Sequence, residues 1–400
     1  MKKLSVFTAF VAMLLITACG SQVSLQSGHV SDMDPDDTGK RMYYSLPRTV
    51  VAIDVEVTQT VKKPGPYAAY AERYLGLDDV IFAPEINYEV SKVSINGYAE
   101  PDPEHVYYVV FPKDGDEKES FYLSLTEEGL IASVNREFDT EEFQFGLSES
   151  TDYGYFGSDA TFNYFIDTNL KEQVDTVIEH VRMDTITVQR QTLRRSWVEK
   201  GEELRASEVA EYILEIREKK FDLISGFQEI NYSKEALEYM YSEMDKLESD
   251  YLDLFTGITA SQTINFRFIH TPEKDQTDTR HTLFRFSQDE GVLPAHDDEG
   301  GVPVTIAYQR SHATDDLKNQ TGETRQERRR SAAGFHYRIP EYANLLIYTG
   351  TEKRAEARMQ INQFGIVTNL PPGKSTIEFY PNTGSIKSIG NLKGQEDDND

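Results

Sequence analysis

One run of helical periodicity divides this 400-residue chain. Leu237, Met240, Met244, Leu247, Tyr251 and Leu254 recur at spacings of 3, 4, 3, 4 and 3. That rhythm puts all six on one face of an α-helix. Ser233 can cap its start and Gly257 its end. Just upstream, Val209, Ile213, Ile216, Lys220 and Ile224 keep a similar rhythm, with Ser207 as the expected cap and Ser225-Gly226 as the stop. Two helices this close predict an antiparallel helical hairpin over residues 201–257. The seam is expected to pack on its sister helix; docking a partner's helix is the alternative use.

Both flanks read as strand. In Thr49–Val57, Ile53, Val55 and Val57 point one way and Asp54 and Glu56 the other. Pro64-Gly65-Pro66 should end that strand, and Tyr67–Leu75 then reads as a short helix closed by Gly76. Val106–Phe111 suits a buried strand. Phe121–Leu125 and Leu130–Val134 flank Thr126-Glu127-Glu128-Gly129, a hairpin signal. After the helices, strands are expected at Thr263–Ile269, Leu283–Phe286, Val302–Tyr308, Phe335–Ile339, Asn344–Tyr348, Ile377–Tyr380 and Ser385–Ile389. The predicted class is α+β, with an N-terminal β-rich domain over 42–200 and a C-terminal one over 258–391.

The two flanks share short motifs in the same order. Tyr44-Ser45-Leu46-Pro47 matches Tyr337-Arg338-Ile339-Pro340, and the run from Gly129 to Val134 matches Gly384 to Ile389. The matches are brief, so internal duplication and chance both stay open. Hairpins in unrelated sheet positions would end the idea of duplication.

The N-terminus reads as an address. Lys2 and Lys3 precede an uncharged apolar run from Leu4 to Ile16, then Thr17, Ala18 and Cys19. A basic start, a short apolar core and small residues before a cleavage point describe a signal peptide over 1–18. The apolar core falls short of the roughly 20 residues of a spanning helix. Ile16-Thr17-Ala18-Cys19 resembles the bacterial lipobox, which implies a diacylglycerol on the Cys19 sulfur. Cys19 is the chain's only cysteine, so no disulfide framework exists. Acyl chains contribute about 0.8 kcal/mol per buried methylene, so Cys19 would anchor the protein to a membrane. Residues 19–41 read as a flexible tether, with Ser, Gly, Gln and Asp dominant and few large apolar groups. No acidic cluster follows Cys19, which by resemblance favours the periplasmic side of the outer membrane and leaves surface exposure open. An acidic tail closes the chain over 392–400.

Charge narrows the partners. The formal net charge is -27; losing Lys2 and Lys3 with the signal peptide makes it -29. Nucleic acid is excluded as the main partner. The lone basic cluster, Arg325 and Arg328 to Arg330, sits in a polar stretch from His312 to Ser331 that reads as a solvated loop.

No catalytic, cofactor or metal motif stands up. Gly373-Lys374-Ser375 resembles the end of a P-loop, but Thr368 replaces the first glycine and a strand should follow. Asp32 to Asp36 resembles a calcium loop, yet Asp37 and Tyr43 occupy its glycine and glutamate positions. His296 to Glu299, with Asp289 and Glu290, reads as a solvated acidic turn; calcium is the alternative. The histidines at 29, 105, 180, 270, 281, 296, 312 and 336 form no zinc-helix pattern. No nucleophile elbow exists. Asp152 to Gly157 reads as a loop, with a sugar-stacking surface as the alternative.

Several motifs together resemble a Bacteroidetes lipoprotein family, catalogued as domain of unknown function 4831. They are Tyr44–Pro47, Tyr70–Gly76, Phe221–Gly226, Leu247–Gly257, Tyr337–Pro340 and Gln363-Phe364-Gly365. The resemblance covers about 42–390 and implies an envelope location but no activity. The expected function is a non-catalytic binding or assembly role, anchored at Cys19 and directed at other envelope proteins. A glycan-binding or glycan-cleaving lipoprotein is the alternative, and it predicts a groove lined by Tyr and Phe with two carboxyls.

Overall fold

The computed structural model describes residues 26–33, 40–110, 122–136, 156–157, 162, 170–183, 186–225, 232–274, 276, 279–296, 300–320, 334–370 and 375–391. The signal peptide, Cys19, the acidic tail, the basic cluster around Arg328, Asp34–Asp37, Asp297–Glu299 and Gly373-Lys374 lie outside the described residues.

The first half begins with β1 (Gln26–His29), β2 (Arg41–Lys63), helix α1 (Ala71–Leu75) and β3 (Glu85–Val110). It continues with β4 (Leu123–Leu125), β5 (Ile131–Val134), β6 (Phe156–Gly157), β7 (Leu170–Met183) and β8 (Ile186–Glu199). Two helices follow, α2 (Glu202–Ser225) and α3 (Lys234–Thr256). The second half holds β9 (Ile258–His270), β10 (Arg280–Ser287), β11 (Gly291–Leu293), β12 (Val302–Arg310) and α4 (Asp315–Gln320). It ends with β13 (Phe335–Thr349), β14 (Glu352–Leu370), β15 (Ser375–Tyr380) and β16 (Ser385–Asn391). The α+β class therefore holds, with strand dominant.

Two five-stranded sheets, in the orders β1-β3-β2-β9-β6 and β11-β10-β12-β13-β14, face each other. Between them lies one core. Val51, Ile53, Val55 and Val57 of β2 meet Phe284, Ile306, Leu345, Ile347, Ile361 and Phe364. The alternation expected for Thr49–Val57 is what buries those four β2 residues. A second core joins the first residues of β2 and β13 and the end of β3 to a four-stranded sheet, β16-β15-β5-β4, through Tyr44, Leu46, Tyr107, Ile131, Phe335 and Phe379. Both cores thus draw on both β-rich regions.

The long strands change cores at matching proline bulges. The pairing breaks between Ser45↔Val106 and Pro47↔Pro101, where Leu46 faces four residues. It breaks again between Ile339↔Ile366 and Glu341↔Ile361, where Pro340 faces four. Pro47, opposite Pro101, borders the first break and Pro340 lies within the second, where a missing N–H costs no ladder bond. The hairpins match too. Leu123↔Val134, Ser124↔Ser133 and Leu125↔Ile131 repeat as Ile377↔Ile389, Glu378↔Ser388 and Phe379↔Ile386, each skipping one residue. Ser45 N–H donates to the Gly129 carbonyl at 3.0 Å, and Arg338 N–H to the Gly384 carbonyl at 2.9 Å. Gly129 and Gly384 both have positive φ, the conformation glycine tolerates best.

The helices differ from expectation at one end. Helix α2 starts at Glu202, so Ser207 lies inside it rather than capping it. Ala206, Ala210 and Ile213 pack on Tyr67 and Ala71, and that burial extends the helix upstream. Ser233 does cap α3, accepting from Ala236 N–H at 3.3 Å, and Gly257 ends it. Pairs Tyr212–Tyr251, Arg217–Glu248 and Lys220–Asp245 show that the two helices run in opposite directions. Of the α3 seam only its C-terminal part, Tyr251 and Leu254, is buried, with Phe255 beside it.

Other departures have local causes. Part of the expected tether, Gln26–His29, pairs with β3, and Ser27 is buried against Gly334. Two expected strands merge into β13, because the bulge absorbs Pro340. The polar stretch after His312 begins with α4. No helix among the described residues is long and apolar enough to cross a membrane.

Gly365 sits inside the second bulge, where an added Cβ would lie 1.9 Å from the Ile339 carbonyl oxygen. Gly365→Ala should therefore destabilise the fold by about 1–3 kcal/mol or more. Urea unfolding checks this; an unchanged midpoint would contradict the bulge geometry.

Candidate functional site

Two features of the described residues could meet a ligand or partner: a cleft at the paired bulges and a ribbon that stands away from the cores.

The cleft has a volume of about 860 Å³ and is lined by both bulges and by the turn after β9, including Arg48, Asp102, His105, Lys274, Arg338 and Gln363. Its floor is an ion pair between the halves. Arg338, only 2% exposed, donates Nη2 to Asp102 Oδ2 at 2.8 Å and Nη1 to the Pro47 carbonyl at 2.9 Å. His105 Nδ1 meets the same Asp102 oxygen at 2.9 Å, and Glu104 N–H donates to Oδ1 at 3.0 Å. Burial pushes the Asp102 carboxyl up, but hydrogen bonds from His105 and Arg338 outweigh it and hold the group well below the usual carboxylate range. Burial lowers the Arg338 pKa, and its bond to Asp102 opposes that. From the other bulge, Gln363 Oε1 accepts Thr49 N–H at 3.0 Å, and its Nε2 donates to the Thr49 carbonyl at 2.7 Å.

This arrangement positions His105 at the cleft through a carboxylate, a pairing that orients an imidazole. A general base needs a reacting partner, and no hydroxyl or thiol nucleophile is bonded to His105 among the described residues. No group of three or more metal-ligating side chains occurs among the described residues either. Among the described residues, the cleft lining carries no Tyr, Phe or Trp, unlike the groove expected of a glycan site.

Behind the cleft, Tyr107 stacks on His336, with ring centroids 4.2 Å apart, and His29 meets its edge at 5.3 Å. Burial, then the nearby His29, lowers the His336 pKa to about 4. Burial raises the Tyr107 pKa to about 12.

The ribbon is β7 paired with β8, fourteen residue pairs from Leu170↔Glu199 to Met183↔Ile186. At about 3.3 Å per residue it extends about 45 Å. Among the described residues, no third strand joins it. Register sets its faces. Glu172↔Trp197, Val174↔Arg195 and Thr176↔Leu193 put Leu170, Val174, Leu193 and Trp197 on one face. All four are about half to two-thirds exposed. Arg195 and Glu172 pair across that face at 3.6 Å. At the far end of the helical pair, Phe221, Ile224 and Tyr239 are likewise exposed.

Sequence reading found these places unevenly. Trp197 was visible only as the lone tryptophan. His105 was one histidine among eight; Asp102 lies only three residues from it, but Arg338, which binds the same carboxylate, is 236 residues from Asp102. Arg338 and Gln363 did lie inside the repeated and family-like motifs, which was the available signal. Of Asp152–Gly157, only Phe156 and Gly157 are described, as a short strand on β9.

A family model described as Domain of unknown function (DUF4831) matches residues 40–152 and 164–387. Comparison with curated proteins and with solved structures finds no match.

Two outcomes test the buried groups. Asp102→Asn leaves Arg338 unpaired and should cost about 3–5 kcal/mol at neutral pH. Because Asp102 titrates lower when folded, its contribution is full above about pH 4 and fades as pH falls further. Denaturant melts should show the variant and the parent converging in acid; a constant gap would contradict the assignment. His336 must stay neutral in the fold, so stability should decline as pH falls from about 6.5 towards 4. His336→Phe should shrink that decline, read as melting temperature against pH.

Proposed function

We propose that this chain, which belongs to the DUF4831 family, is a lipid-anchored cell-envelope protein that holds another envelope protein and catalyses nothing. The observation that carries the reading is the ribbon face of Leu170, Val174, Leu193 and Trp197. A two-stranded ribbon is marginal alone in water. An exposed aromatic and aliphatic cluster on one is the composition of an interface core. The partner is a protein from the same envelope, as expected of a Bacteroidetes lipoprotein attached through Cys19. An outer-membrane position facing the periplasm follows from the uncharged start after Cys19.

The body that carries the ribbon reads as an internal duplication. Equal bulges, equal hairpin registers and the paired N–H bonds to Gly129 and Gly384 support this. The α2–α3 pair is an antiparallel hairpin set between the two β-rich regions. Glycan binding is the weaker reading, because the cleft lacks the aromatic platform that sugars stack on.

In-cell crosslinking followed by recovery of the protein should yield one or two envelope proteins near stoichiometry. Cys19→Ser should lose them through release from the membrane. Trp197→Ser with Leu193→Ser should lose them while the protein stays anchored and folded, since both side chains are exposed. Undiminished recovery from the double variant would remove the ribbon from the account.

A further inference from the structure

Among the described residues, the four-stranded sheet ends at two edges that complement each other. Its order is β16-β15-β5-β4. The hairpin registers make β4 equivalent to β15 and β5 equivalent to β16. The two hairpins meet through β5 and β15, with Val134 opposite Ile377 and Ser133 opposite Glu378. That contact joins the second strand of one hairpin to the first strand of the other. It is a head-to-tail contact, so a single such contact leaves one strand of each kind unused. After it forms, the second strand of the second hairpin, β16, and the first strand of the first hairpin, β4, have no neighbour among the described residues.

Burial marks the consequence. Val134 is 1% exposed beneath its neighbour strand, whereas its equivalent, Ile389, is 53% exposed. Tyr122, beside β4, is half exposed as well. Neither strand contains a proline, which would remove a donor from the edge. Lys387, the one charge on β16, is paired with Glu378 at 2.6 Å, within the sheet.

We propose that a second copy of this chain occupies these edges. The β4 edge of one molecule adds to the β16 edge of the next, as β15 adds to β5 inside each chain. The internal register transfers directly. Leu123 of one copy faces Ile389 of the other, and Ser124 faces Ser388. The pairing is antiparallel and repeats from copy to copy, giving a row of molecules. The occupant is a second copy because the chain already contains the same contact between equivalent strands. The inference uses the equivalence of the two halves put forward above and is independent of the ribbon, whose variants leave these edges untouched.

Directly opposed Cα atoms in an antiparallel pair lie about 4.5–5.5 Å apart, within disulfide range. The full chain carrying Ser124→Cys is co-expressed with the full chain carrying Ser388→Cys and oxidised mildly in intact cells. The unmodified chain, whose only cysteine is Cys19, sets the background. A disulfide-linked dimer is expected from the mixture and from neither variant alone. A chain with both substitutions should give a ladder of higher species. Adding Ile389→Asp should cut the mixed dimer at least tenfold without shifting the melting temperature, because Ile389 lies outside both cores. No mixed dimer above background, or a yield indifferent to Ile389→Asp, would overturn the proposal.

Discussion

Everything in this fold hangs on the crossing of two bulged strand pairs. Asp102, in the bulge opposite β2, is bonded to Arg338 near the start of β13. Gln363, at the matching place in the second bulge, is bonded to Thr49 of the first half's leading strand. Each half therefore closes the gap in the other. The bulges let β2 and β13 turn from one core into the second, and the crossed bonds satisfy several polar groups at the turn, leaving Arg338 Nε and Asn362 Oδ1 without a partner among the described residues. A buried arginine and carboxylate gain little net energy over an apolar pair. Their value here is register. A one-residue slip of β2 or β13 would turn every core residue of that strand outwards and separate the ion pair.

This crossing explains why the two β-rich regions share their cores. Neither sheet could bury its inner face alone, since Val51, Ile53 and Val55 need Phe284, Ile306 and Leu345 opposite them. The helical pair then emerges from one place on this body, fixed at its base by Tyr67, Tyr251 and Phe255. The ribbon emerges just before it in sequence. Both present apolar residues at exposed positions.

Much of this was legible from local pattern. Period-two alternation placed the centre of β2, helical spacing placed α3, and Gly76, Gly129 and Gly257 marked turns that do occur there with positive φ. What failed was reading across proline. Pro47, Pro101 and Pro340 look like strand ends in sequence, yet β2, β3 and β13 pass through them because bulges remove the need for their N–H groups. Strand β14 was missed for a different reason. Its first half, Glu352 to Arg358, alternates alanine with charge and carries no β-branched residue, so only its pairing to β13 makes it a strand. The cleft was hidden further still. Asp102, His105, Arg338 and Gln363 are ordinary polar residues until the two halves meet.

The central claim is that one face of the ribbon holds an envelope protein. A photo-reactive residue placed in turn at each position from 170 to 176 and from 193 to 199, followed by irradiation of intact cells, tests it most directly. The account predicts capture of the same partner at alternate positions, strongest at 170, 174, 193 and 197, and little at 171, 173, 194 and 196. Capture that shows no period of two, or no capture on either face, would contradict it.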